Sequence, residues 1–137
     1  MSVLVLTFIC WFFVFIPGLI HVKLIKYLRI SKYYNRAVIF AIILIVISIL
    51  MWKDFEIQKF KHMRFIGFVP LVFLLLFKSL NNIWNLYLKR DLYFYQKYSK
   101  DFESMNSTWK EFFIQFFIVF FPLVICIYIG ELTKQFF

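Results

Sequence analysis

Lys78, Asn82, Asn85 and Lys89 follow one another at spacings of four, three and four residues, beginning inside a strongly apolar run and ending beyond it. At about 100° per residue they fall in one narrow stripe of a helix. Asn81 flanks that stripe, and Leu76, Leu80, Ile83 and Tyr87 take the opposite face. The chemistry available to such a row is solvation rather than bond making. Amides and ammonium groups that run from inside a hydrocarbon layer towards water can line a hydrated path, or form a polar seam between packed helices. A plainer account also fits: a lysine near the end of a span extends its head to the interface, and asparagines mark where a helix leaves lipid.

No constellation for catalysis or metal binding accompanies the stripe. His21 and His62 are isolated, and no His-x-x-His or Glu-x-x-His spacing occurs. Cys10 and Cys126 lie in separate apolar runs, without a partner spacing that suggests a disulfide framework or a zinc site. Glu111 and Gln115 stand one helical turn apart and could reach Lys78 or Lys89 across a helix interface. Capping and interfacial solvation explain them as well, and Ser107 is not at capping-box distance from Glu111. Asp91, Asp101 and Glu103 read as local charge balance among basic neighbours. The sequence therefore predicts a non-enzymatic protein with no cofactor and no metal centre.

The elements that must carry the stripe follow from composition. Of 137 residues, 64% are hydrophobic and 24% aromatic, far beyond what a soluble domain of this size can bury. Lipid is the solvent that satisfies such a surface. Four apolar runs, at residues 3–20, 37–52, 65–84 and 112–130, predict an all-α integral membrane protein with four transmembrane helices in a single domain. The first run has no Lys or Arg before it, is long for a leader and is followed by no small-residue cleavage site. It therefore reads as a retained span. Pro122, in the middle of the fourth run, predicts a kink.

Orientation comes from the basic residues. The chain carries 16 Lys and Arg against 7 Asp and Glu, a formal net charge of +9. Placing the first and third connections inside puts ten basic residues in the cytoplasm and five outside, with Lys78 left within a span. Both termini then face away from the cytoplasm. The basic second connection leaves room for a re-entrant element or the inverted arrangement. The first connection alternates Lys23, Lys26 and Arg29 with Val22, Ile25 and Leu28, which predicts an amphipathic helical extension at the interface. A second extension, over Leu80 to Tyr98, carries an aromatic belt of Trp84, Tyr87, Tyr93, Tyr95 and Tyr98.

The basic residues Lys23, Lys26, Arg29, Lys32, Arg36 and Arg90 are the candidate contacts for an anionic ligand on the cytoplasmic side, whether nucleotide, oligonucleotide or lipid headgroup. The expected partners are membrane lipid, further copies of the chain and other membrane subunits. Four spans are too few to enclose a pore, so conduction requires a homo-oligomer. The expected role is a homo-oligomeric ion channel or membrane-permeabilising effector. The alternative is an accessory subunit of a larger complex, or an immunity protein against a pore-forming toxin. Low Ala and Gly content with abundant Phe, Ile, Lys and Tyr suggests an AT-rich genome, that of a bacterium, a mobile element or an organelle; the expected setting is a bacterial inner membrane, with an organellar one as the alternative.

Overall fold

The computed structural model describes residues 3–20, 24–53, 65–95 and 106–134. Lys23, His21, His62 and the basic residues at 59, 61 and 64 lie outside them. Among the described residues every regular element is helical, because each long apolar run must satisfy its own backbone polar groups. Helix α1 spans Val3–Phe15 and relaxes into a π turn over Ile16–Ile20. A short α2, Leu24–Leu28, leads into α3, Ser31–Leu50. A 3-10 turn at Ile66–Phe68 opens α4, Val69–Leu88, and α5 runs over Trp109–Lys134.

Three stretches are long and apolar enough to cross a membrane: Ser31–Leu50, Ile66–Leu88 and Trp109–Thr133. The first apolar helix, Leu4–Gly18, is shorter. At 1.5 Å per residue it rises about 22 Å, against a hydrocarbon core of about 30 Å. Of the extension predicted in the first connection, Leu24–Leu28 is helical as α2, which buries Ile25 and exposes Lys26 and Tyr27. The second extension differs from expectation. Helix α4 ends at Lys89, which takes a left-handed conformation at φ 57°, and Asp91 to Tyr95 beyond it form no regular element. Pro122 sits within an α5 that continues on both sides of it.

The helices alternate in direction, so one end of the bundle gathers Gly18, α2, the start of α3, the end of α4 and the start of α5. The core uses a different sequence rhythm in each helix. Leu6, Cys10, Val14 and Gly18 form a four-residue row on α1. On α3, Tyr34, Ala41, Leu44, Ser48 and Met51 follow a heptad rhythm. Phe73 and Phe77 of α4, with Ile118 and Val119 of α5, fill the space between. The outward faces are equally apolar: Phe113, Phe117, Val124 and Tyr128 on α5, and Ile39, Ile42, Val46 and Ile49 on α3, are all exposed. An apolar surface this continuous suits a hydrocarbon environment.

Two glycines set the closest approaches. A Cβ at Gly67 would overlap the Ser48 side chain and lie 3.0 Å from the Leu44 carbonyl, while one at Gly18 would overlap the Val119 side chain. Both are contact points of packed helices that tolerate no added carbon without movement. Gly18→Ala is therefore expected to cost about 1–3 kcal/mol, read as a lowered Tm in detergent. Adding Val119→Ala, which removes the obstructing methyl, should recover part of that loss. A double variant no more stable than Gly18→Ala would refute this contact.

Candidate functional site

The polar end of the bundle is organised around Asp91 to Tyr95, a segment outside regular secondary structure that bonds to side chains of α4 and α5 and whose buried Leu92 and Phe94 alternate with Tyr93 and Tyr95 as in an extended chain. An extended chain advances about 6.6 Å in two residues, and a helix about 6.0 Å in four. The segment therefore keeps register with residues one turn apart on both helices. On α4, Asn81 accepts the Leu92 amide at 2.9 Å, and Phe94 packs edge-on to Phe77 with ring centroids 5.9 Å apart. On α5, the Tyr93 amide donates to the Glu111 carboxylate at 2.6 Å, and the Tyr95 amide to the Gln115 carbonyl oxygen at 2.8 Å. Leu92 and Phe94, alternating with these, are buried. Two polar side chains on one helix face thus substitute for a neighbouring strand.

Glu111 is fully buried and its carboxylate is saturated. Arg90 binds it with two nitrogens, at 2.6 and 3.0 Å. The backbone amide and hydroxyl of Thr108 each donate to it at 3.1 Å, while the Glu111 amide returns a 3.4 Å bond to the Thr108 hydroxyl. That reciprocal pair is a capping box built from Thr108-x-x-Glu111, which caps α5 and charges its N-terminal turn favourably. Hydrogen bonds from the Arg90 guanidinium to this carboxylate hold Arg90 above its already high ordinary pKa. Gln115, also fully buried, donates its amide to the Tyr95 carbonyl at 2.9 Å and to the Gly18 carbonyl at 2.6 Å. The π turn after α1 places that carbonyl within reach.

The other face of the segment is held from α2 and α4. Arg29 donates to the Leu92 carbonyl and stands 4.0 Å from Asp91, which also accepts weak 3.4 Å bonds from Asn81 and Asn85. Backbone polar groups that leave regular structure near lipid need such partners. The segment obtains them almost wholly from side chains.

All four residues of the stripe, Lys78, Asn82, Asn85 and Lys89, are exposed on α4. Lys78 lies over the Tyr34 ring, 4.7 Å from its centroid, and the Tyr34 hydroxyl donates to the Leu74 carbonyl at 3.1 Å. Lys78 and Asn82 share a polar recess of about 90 Å³ with Ser31, Tyr34 and Asn35. Asn85 reaches Asp91, and Lys89 forms the helix reversal. The candidate anion contacts divide. Arg29 and Arg90 turn inward onto the segment and Glu111, while Lys26, Lys32 and Arg36 stay on the surface. Among the described residues no group of His, Cys, Asp or Glu is placed to hold a metal ion.

The sequence left Glu111 and Gln115 between a contact with Lys78 or Lys89 and a capping or interfacial role, set Asn81 only beside the stripe and gave Thr108 no role; Glu111 binds Arg90 and caps α5 with Thr108, and Gln115 binds the Tyr95 and Gly18 backbones. The signals were present: a Glu and a Gln one turn apart at the head of an apolar run, a Thr three residues before the Glu, and the alternation of Leu92 and Phe94 with Tyr93 and Tyr95. Comparisons with known protein families, with characterised proteins and with solved structures find no match to this chain.

Glu111→Ala removes the carboxylate shared by Arg90 and the Tyr93 amide, leaving Arg90 only the Asp91 carbonyl at 3.2 Å as an acceptor, and is expected to cost about 3–5 kcal/mol. Lys110→Ala, on the exposed side of the same turn, should cost no more than about 0.5 kcal/mol. Thermal unfolding of the three proteins side by side in one detergent tests this, and equal stability of the two variants would refute the role assigned to Glu111.

Proposed function

We propose that this chain is a four-span polytopic membrane protein without enzymatic activity, which acts as a homo-oligomeric ion channel or membrane-permeabilising effector. The shorter α1 completes the set of spans, both termini lie outside the cytoplasm, and a bacterial inner membrane is its setting. The observation that carries the reading is the exposure of the whole Lys78, Asn82, Asn85 and Lys89 row on the outer surface of a single copy. Polar surface on an apolar span is costly unless water or a protein neighbour covers it. A ring of copies supplies both, with the row turned towards a shared path and Lys26, Lys32 and Arg36 on the cytoplasmic rim, where an anionic ligand would meet them.

A second reading rests on a different feature. Leu86 and Tyr87, at the projecting end of α4, are 80% and 81% exposed. They offer an apolar contact for another membrane protein, as an accessory subunit or an immunity protein requires.

Mass photometry of the protein purified alone in mild detergent, followed by ion flux in vesicles from the same sample, separates the two. The channel reading predicts a discrete oligomer and measurable flux, with Lys78→Gln and Lys89→Gln shifting selectivity towards cations. A monomer without flux would overturn it in favour of the accessory role. Currents unaltered by both substitutions would remove the row from the path.

A further inference from the structure

An open groove of about 500 Å³ runs between α1, α2 and α3, with Phe73 of α4 at its back. Ile9, Phe12, Phe13 and Phe40 line it, and the Phe13 and Phe40 rings stack on one another at 5.5 Å and 17°. Ala37 creates the space. It lies one turn from Tyr33 on α3, and its side chain stops at Cβ where its neighbours on that face are aromatic.

The groove changes character at the polar end of the bundle. Tyr27 of α2 lines its mouth and meets Tyr33 edge to face at 5.6 Å. Lys32 and Arg36 lie beyond the groove's lining, next to Tyr33, their charged groups 6.0 and 5.9 Å from its ring centroid. Both side chains are exposed, and no acidic residue precedes Asp54 in the sequence. An apolar slot open to the outside of the bundle, with two cations and two tyrosines at its head, matches a molecule with a hydrocarbon tail and an anionic head. A soluble anion would use the rim and leave the slot empty.

We infer that the groove seats an acyl chain of an anionic glycerophospholipid, with the phosphate held between Lys32 and Arg36 at the level of the tyrosines. The inference rests on the membrane reading above, and it selects lipid among the anionic ligands that the basic rim admits. Anionic lipid of the cytoplasmic leaflet meets juxtamembrane Lys and Arg favourably, and the slot adds burial of the chain to that attraction. The site is thus a fixed lipid position on the α1–α3 face, distinct from the Asp91 to Tyr95 segment.

Native mass spectrometry of the full chain in mild detergent, titrated with dioleoyl phosphatidylglycerol or dioleoyl phosphatidylcholine, tests the assignment. The expected result is one phosphatidylglycerol per chain, retained about tenfold more strongly than phosphatidylcholine. The surface pair K32Q/R36Q should abolish the preference while leaving weak binding of both lipids. Ala37→Phe should abolish retention of both by filling the slot. Equal retention of the two lipids by the wild-type chain means annular lipid only, and overturns the inference, as does undiminished preference in K32Q/R36Q. Displacement of bound phosphatidylglycerol by glycerol 3-phosphate at similar concentration would also overturn it, because the acyl seat would then contribute nothing. The membrane reading fails separately, by release of the chain from membranes with alkaline carbonate and no detergent.

Discussion

A helix that must hold an extended segment at its side needs acceptors and donors at the spacing of every second peptide, and a residue pair one turn apart provides it. Glu111 and Gln115 are that pair. They take the amides of Tyr93 and Tyr95 and return a donor to the Tyr95 carbonyl. The segment can therefore sit between α4 and α5 without a partner strand. Its alternate residues, Leu92 and Phe94, are left free to fill the core. Because α4 ends in a left-handed Lys89 and reverses there, the docked segment sets the relation between the last two helices at this end.

The pair also ties in the rest of the bundle. Gln115 reaches the Gly18 carbonyl, so the π turn after α1 is anchored to the same face of α5 that carries the segment. Arg90 and Thr108 bring both ends of the third connection to the Glu111 carboxylate. Arg29, from the first connection, closes the opposite side on the Leu92 carbonyl. A buried network of this kind is stabilising only when every member is satisfied. Here a carboxylate with five donors and an amide with three bonds form the satisfied centre of the network, in a region where isolated polar groups would be costly.

The sequence made the helical class and the apolar runs legible, because in a chain this hydrophobic the backbone has few other ways to satisfy itself. Three runs stand as helices of spanning length, and the first is a shorter one. The amphipathic rhythm of the first connection announced α2. The docked segment was harder to read. Glu111 and Gln115 look like ordinary interfacial polar residues until a segment with matching rise is placed beside them, and a one-dimensional pattern does not name a partner 18 or more residues away. Arg29 and Arg90 were hidden for the same reason: a cation in a basic loop has the same sequence signature whether it faces solvent or an internal acceptor. The Lys78 stripe lies on one exposed face of α4, as its spacing predicts. Its neighbours Tyr34 and Asp91 come from segments that the spacing alone could not bring to it.

The polar end therefore has an inner layer, which fixes the segment, and an outer layer of exposed Lys, Asn and Tyr, which is available for contact with lipid, ligand or a further copy. The account depends most directly on the inner layer. Hydrogen exchange at single amides, measured by NMR on the protein in detergent micelles, tests it. The account predicts that the Leu92, Tyr93 and Tyr95 amides are protected together, and that in Gln115→Ala the Tyr95 amide loses protection first. Exchange of these three amides in the wild-type protein at the rate of an unstructured peptide would contradict it.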